Sequence, residues 1–202
     1  RDEAYVSASC GPTGKLLEPF GDTNPEVVYE AFRRQMSVLI CEGVDMICIE
    51  TMTDLNEASL AVQAARSISS SIPICATMTF DATPRGFYTI MGVTIEQVVK
   101  GLTKAGVDII GSNCGNGIKN MIAISKEFKK NTTLPVIIQS NAGMPILKDG
   151  ISIYPETPKY MAEQSRELID IDIKILGGCC GTTPAHIAAF KKNLRENSTK
   201  TH

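Results

Sequence analysis

Six times along this chain a short apolar run stops at a polar residue or a turn, and each time a segment with helical apolar spacing follows. Strands buried on both faces read as continuous apolar runs, and parallel neighbours need a crossover, so the alternation predicts a parallel sheet wrapped by helices. The predicted strands cover residues 5–9, 46–49, 74–80, 109–112, 136–140 and 173–176. Helix starts are marked by caps: Asn24 with Pro25, Asp54 with Glu57 in the form of a capping box, Thr94 with Gln97, Thr157 with Pro158, and Thr183 with Pro184. The first helix carries Val28, Phe32, Met36, Leu39 and Ile40 at helical spacing and ends at Gly43. A further helix is expected over about 118–129, and the last from Pro184 to about Asn193. Residues 82–93 and 144–156 read as long irregular loops, and 196–202 as a polar, frayed tail. A weak repeat, Glu42-Gly43-Val44-Asp45 and Ala105-Gly106-Val107-Asp108, closes a helix and launches a strand each time.

A doubly wound open sheet and a (β/α)8 barrel both satisfy this pattern. The barrel is preferred because Glu50, Asp81, Cys114, Asn141, Cys179 and Cys180 all fall where a strand ends, and barrel strand ends converge on one face. The expectation is a TIM barrel over residues 1–195, present as about six βα units without the first two strands. Two unpaired edges would then favour pairing with another copy, a homo-oligomer.

A net charge of −2 with dispersed charges gives no support to a nucleic-acid surface. No apolar run approaches the ~20 residues of a membrane span, and the first residues read as neither leader nor anchor. Seven cysteines, an odd number set mostly in apolar context, suit a reducing cytoplasm better than a disulfide framework.

The chemistry concentrates in Ile173–Pro184, IKILGGCCGTTP. Adjacent cysteines close a disulfide only in a strained ring, so Cys179 and Cys180 are better placed to offer two thiolates to one metal ion. Gly177, Gly178 and Gly181 let the backbone turn sharply around them, and a helix N-terminus aimed at the sulfurs favours thiolate. The competing reading is a pair of buried, inert cysteines in a tight turn. Cys114 occupies the same strand-end position two units earlier, and three thiolates make a zinc site with an open fourth position. The side-chain oxygen of Asn141 could fill that position, or could satisfy loop backbone groups. Asp81, in Asp-Ala-Thr-Pro, reads as a turn opener, and Cys10, Cys41, Cys48 and Cys75 as small core residues. His186 reads as a surface or helix-packing residue, and His202 is the terminus.

GSNCG, SNAGMP and GGCCGTTPAHI, preceded by IETMTD and CGPTG, resemble the homocysteine S-methyltransferase family, which includes cobalamin-dependent methionine synthase and betaine–homocysteine methyltransferase. The resemblance runs from about Val6 to about Leu194. It implies a (β/α)8 barrel, zinc on Cys114, Cys179 and Cys180, and Glu50 as receiver of the substrate's ammonium group. Asn141 matches the position that approaches the metal when substrate is absent. Glu50 otherwise reads as a carboxylate capping the segment after it. Two departures are visible: the family's glycine-rich first-strand segment has no counterpart, and Gln139-Ser140 stand where Glu-Pro is more usual. The function implied is transfer of a methyl group to the thiol of homocysteine, forming methionine in methionine biosynthesis. The donor would be a methyl-corrinoid such as methylcobalamin on a separate domain or protein, or a small onium compound. The alternatives are a non-catalytic barrel fragment with structural zinc, and a methyltransferase for a different thiol.

Overall fold

The computed structural model describes residues 4–198. In chain order the elements are β1 (Ser7–Cys10), α1 (Pro25–Cys41), β2 (Met46–Met52), α2 (Leu55–Ile68), β3 (Ile74–Met78), β4 (Asp81–Thr83), β5 (Gly86–Tyr88), α3 (Ile95–Ala105), β6 (Ile109–Asn113), α4 (Ile118–Asn131), β7 (Val136–Ser140), β8 (Ile146–Lys148), β9 (Ile151–Ile153), α5 (Pro158–Asp170), β10 (Ile175–Gly178) and α6 (Pro184–Ser198). They fall into two compact units, one holding the chain up to Met78 with Tyr88–Ile110, the other Thr79–Phe87 with the chain from Gly111 onward.

In the first unit β1 pairs with β2 and β2 with β3, all parallel, with Cys10 opposite Ile49 and Cys48 opposite Cys75. Every residue of β3 is buried, as a strand covered on both faces requires. The β2–β3 register shifts between Ile49 and Met52, where Thr51 has φ 62°, a bulge of the kind that re-aims a neighbouring side chain. Asn24 caps α1 through Glu26 N–H (2.8 Å), and α1 buries Val28, Phe32 and Met36. The Thr94–Gln97 capping box of α3 is complete in both directions. That of α2 is not: Asp54 accepts from Asn56 N–H, but Glu57 turns away to accept Thr13 N–H (2.7 Å) and Thr13 Oγ1 (2.5 Å). Buried at 3% exposure, Glu57 anchors the loop after β1 instead. Arg66 ties α2 to Gly106 O, Ile72 O and Asp108, closing the far ends of these elements.

In the second unit β7 pairs in parallel with β10, Ile175 opposite Ile137 through Gly178 opposite Ser140. This strand lies two residues later than the apolar run suggests, because the two glycines, having no side chains to place, join the ladder. Helices α4, α5 and α6 bury Met121, Phe128, Met161, Leu168 and Phe190, and Phe128 meets Phe80 edge to face at 5.8 Å.

Four expectations need correction. The loop over 82–93 contains the paired strands β4 and β5, and β3 stops at Met78, so Phe80 is core without being strand. The excursion over 144–156 contains the antiparallel hairpin β8–β9. Its turn, Asp149-Gly150, has φ 51° and 77°, the double positive φ that Asp-Gly supplies in tight hairpins. Helix α6 continues to Ser198, since no glycine or proline follows Asn193 to stop it, and residues 199–202, with His202, lie outside the described residues. Cys41, taken as core, is exposed at the end of α1.

Candidate metal centre

Cys114 follows β6 and the pair Cys179–Cys180 follows β10, and backbone hydrogen bonds fix each position. Cys114 follows β6 with φ 60°, a left-handed conformation that a non-glycine residue holds only where its surroundings impose it. Here Cys114 N–H donates to Gln139 O (3.1 Å) and Cys114 O accepts from Asn116 N–H (2.8 Å). Cys179 follows β10 and extends its ladder, donating to Ser140 O (2.8 Å). Its carbonyl then accepts from Thr182 N–H (3.2 Å) and Thr182 Oγ1 (2.7 Å), which closes the turn. A β-carbon on Gly178 would lie 2.4 Å from Thr182 Oγ1, so the turn requires glycine there. Cys180 is gripped at both backbone groups: its N–H donates to Asn141 Oδ1 (3.1 Å) and its carbonyl accepts from Ala142 N–H (2.9 Å).

The helix after the pair is capped in a way its sequence only half discloses. Thr183 O accepts from His186 N–H (2.9 Å), making Thr183 the cap and Pro184 the first helical residue, while Thr183 N–H donates back to His186 Nδ1 (3.0 Å). With Nδ1 accepting, His186 carries its proton on Nε2 and donates to Glu156 O (3.0 Å). His186 is thus a buried capping partner. Glu156 reaches further: its carboxylate accepts Ile118 N–H (3.0 Å) at the start of α4, whose cap, Gly117, has no side chain, and its own N–H donates to Ala142 O (2.9 Å). The strap 154–156 is therefore pinned to α4, to the loop after β7 and to the start of α6. Tyr154 lies against Gly181, where a β-carbon would come within 2.1 Å of its ring and where φ is 78°.

The result is three sulfurs within 4.8 Å of one another, with Cys114 Sγ and Cys180 Sγ 3.8 Å apart. A tetrahedron with metal–sulfur arms of ~2.3 Å has edges of ~3.8 Å, so the donor set and its spacing both fit zinc. Burial, then the Cys114 charge and hydrogen bond and the Cys180 charge, push the Cys179 thiol up to about 12. Without a cation, then, Cys179 keeps its proton near neutral pH. Desolvation, followed by the Cys180 charge and hydrogen bond, raises Tyr154 above the ordinary phenol value. Asn113, 1% exposed, directs its carboxamide nitrogen at Cys179 Sγ (3.8 Å). Cys180 is exposed while Cys114 and Cys179 are half-buried, which leaves one side of the cluster open. Ser112 Oγ, Ser140 Oγ and Gln139 Oε1, on the strands leading to these loops, are buried without a partner among the described residues.

Glu50 belongs to the first unit, inside β2 beside the bulge. Ser9 Oγ donates to its Oε1 and Cys48 Sγ to its Oε2 (3.7 Å), while Asp54 caps α2. Asp81 is exposed in β4. Cys10, Cys48 and Cys75 are buried within their strands, and all seven cysteines are free. Sequence reasoning passed over Asn113, Tyr154 and Glu156. Asn113 had a signal, its place next to Cys114, whereas nothing local marks Tyr154 or Glu156.

The fold and sequence have known counterparts. The apo form of the homocysteine methyltransferase MmuM from Escherichia coli superposes with a TM-score of 0.74 at 22% identity, covering 94% of this chain and 62% of that one. Its metallated form gives 0.73 over 93% and 60%. The fold is accordingly α/β, a partial TIM-barrel-like arrangement with six parallel strands. Methionine synthase of Mycobacterium tuberculosis is 32% identical over 199 residues, and that of Mycobacterium leprae 32% over 188. The chain spans only 16% and 15% of the length of these two relatives. The family model described as Homocysteine S-methyltransferase matches residues 1–194, nearly the whole chain and all three clustered cysteines, and the chain belongs to that family.

Proposed function

We propose that this chain holds zinc on Cys114, Cys179 and Cys180 and uses it to transfer a methyl group to the thiol of homocysteine, giving methionine. The observation that carries the reading is the cluster of three sulfurs, open on the Cys180 side. Zinc bound there supplies the Lewis acidity that lets an alkyl thiol lose its proton at neutral pH and remain nucleophilic. The acceptor sulfur forms the new S–C bond with its lone pair, and the carrier departs with the electrons of the bond that held the methyl group. The carrier is a methyl-corrinoid or a small onium compound.

The chain's own residues bind and orient. Asn141 holds Cys180 through the Cys180 N–H, and the second lone pair of its Oδ1 is the candidate for the fourth position when no substrate is present. Glu50, its carboxylate already oriented by Ser9 and Cys48, is the candidate for the ammonium group. An exposed sulfur also favours a working site over a structural one, since structural zinc sites are closed by four protein ligands. The test is to titrate homocysteine into zinc-loaded protein and follow proton release, then add methylcobalamin and measure methionine. About one proton released per chain and zinc-dependent methionine are expected. Failure to take up zinc through sulfur, or no proton release, overturns the reading.

A further inference from the structure

We propose that Asn113 is a positioning residue of the metal centre. Its carboxamide N–H, donated to Cys179 Sγ, fixes that sulfur as a ligand and draws charge from it, so that an electrophilic methyl group meets the incoming thiol and not the protein's own sulfur. The inference rests on the metal reading above and adds to it the means by which one thiolate among several is kept unreactive.

A site of three thiolates that receives a fourth has a selectivity problem, because each sulfur bears lone pairs and a methyl donor brought to the open side could react with any of them. A hydrogen bond to a thiolate lowers the energy of its lone pairs, which strengthens its role as a fixed ligand and weakens it as a nucleophile. Cys179 is only half-buried, so burial alone does not protect it. Asn113 is placed to do so: it is the last residue of β6, 1% exposed, directly before Cys114, and its side chain crosses to the other cysteine loop to reach Cys179 Sγ at 3.8 Å. Thr79 Oγ1 holds the Asn113 carbonyl (3.0 Å), which fixes the residue from its backbone side. One residue thus sits in the backbone of one cysteine loop and in the hydrogen-bond shell of the other. Beside the neighbouring sulfur, the Tyr154 ring packs on Gly181, the residue after Cys180.

The test uses Asn113→Asp, which keeps the shape but replaces the donor by an acceptor, and Asn113→Ala, which removes the donor without adding charge. Each is loaded with Co(II), compared for zinc affinity by chelator competition, and exposed when zinc-loaded to iodoacetamide. In that reaction a cysteine sulfur forms the S–C bond and iodide leaves with the electron pair. Expected in both variants are a red shift of the sulfur-to-cobalt charge-transfer band, a zinc affinity lower by about 10–100-fold, and faster alkylation at Cys179 than at Cys114 or Cys180, read by peptide mass spectrometry. Unchanged band and affinity in both variants overturn the inference, as does equal acceleration at all three cysteines. A shift in the Asp variant alone assigns the effect to added charge and overturns it too. If wild-type protein shows no sulfur-to-cobalt band, the metal reading itself fails, a result distinct from any of these.

Discussion

Each of the two units carries three cysteines on or beside its parallel strands, and the two sets are placed differently. Cys10, Cys48 and Cys75 lie within β1, β2 and β3, and all three are buried. There a hydrogen bond with Cys48 and burial push the Cys75 thiol far up, and the group stays a protonated core residue. Cys114, Cys179 and Cys180 fall immediately after β6 and β10, where the chain leaves the ladder and the sulfurs can converge. Burial raises thiols in both places; what differs is that Cys179 also faces Cys114 and Cys180 closely enough for a cation to relieve all three. Position past the strand end, more than residue type, separates the candidate metal ligands from filling.

The sharpest way to break this contrast is to exchange the losses. Cys179→Ala with Cys180→Ala should take zinc content from about one per chain to near zero by elemental analysis, because a single remaining thiolate binds metal weakly. Cys48→Ala and Cys75→Ala should keep full zinc and instead lower stability by about 1–2 kcal/mol in denaturant titrations. Stoichiometric zinc in the double variant would remove the contrast.

The role proposed for Glu50 gives the next largest effect. Glu50→Gln touches no sulfur of the cluster, so zinc content should hold. Homocysteine binding should weaken by about 2–5 kcal/mol, the cost of truncating one side of a desolvated charge pair. A simple alkyl thiol without an amino group should bind nearly as before. Equal weakening of both ligands by calorimetry would make Glu50 a support for β2 and Ser9.

How much of this was readable follows from where each signal resides. The six strand–helix units and the caps Asn24, Thr94 and Thr157 are local, because a cap and its partner lie within three residues. The cysteines were legible for a similar reason: Gly-Gly before and Gly after them announce a turn. The Asp149-Gly150 turn was also written locally, but the long apolar excursion around it hid the hairpin. Tyr154, Glu156 and the loop anchor Glu57 were not legible, since their partners lie 27, 38 and 44 residues away, and no period or spacing encodes such a contact. Glu57 looked like a capping-box residue, and Thr13 outbid the helix for its carboxylate.

That long-range packing can be weakened without touching a sulfur. Gly181→Ala places a methyl group where the Tyr154 ring stands and forces a side chain to φ 78°. A loss of about 1–3 kcal/mol is expected, with zinc affinity falling because the Cys180 turn is displaced. Tyr154→Ala in the same background should restore part of both by making room. No restoration would mean that backbone strain alone carries the effect.

The smallest effect lies in the first unit's response to pH. Burial, then the charges of Glu57, Cys48 and Glu50, raise the Cys10 thiol from 9.0 to about 12. A thiol whose folded pKa lies above its unfolded one favours the folded state fully below the unfolded value. As pH rises past 9 the unfolded chain gives up the proton first, and the favour is lost progressively until the folded thiol also ionises near 12. Wild-type protein should therefore lose stability between pH 8 and pH ~10.5 more steeply than Cys10→Ala, in urea titrations with zinc held saturating. Saturating zinc matters because Cys179, raised to a similar value, would give up its proton to solvent on binding the metal and then no longer titrate in that window. If the two curves run parallel, Cys10 does not hold its proton against the solvent, and the first unit's cysteines are less sequestered than their burial implies. If both proteins lose stability steeply, and only when zinc is withheld, the alkaline sensitivity belongs to the second unit's cluster, and the contrast between the two sets must be drawn from metal occupancy instead of strand position.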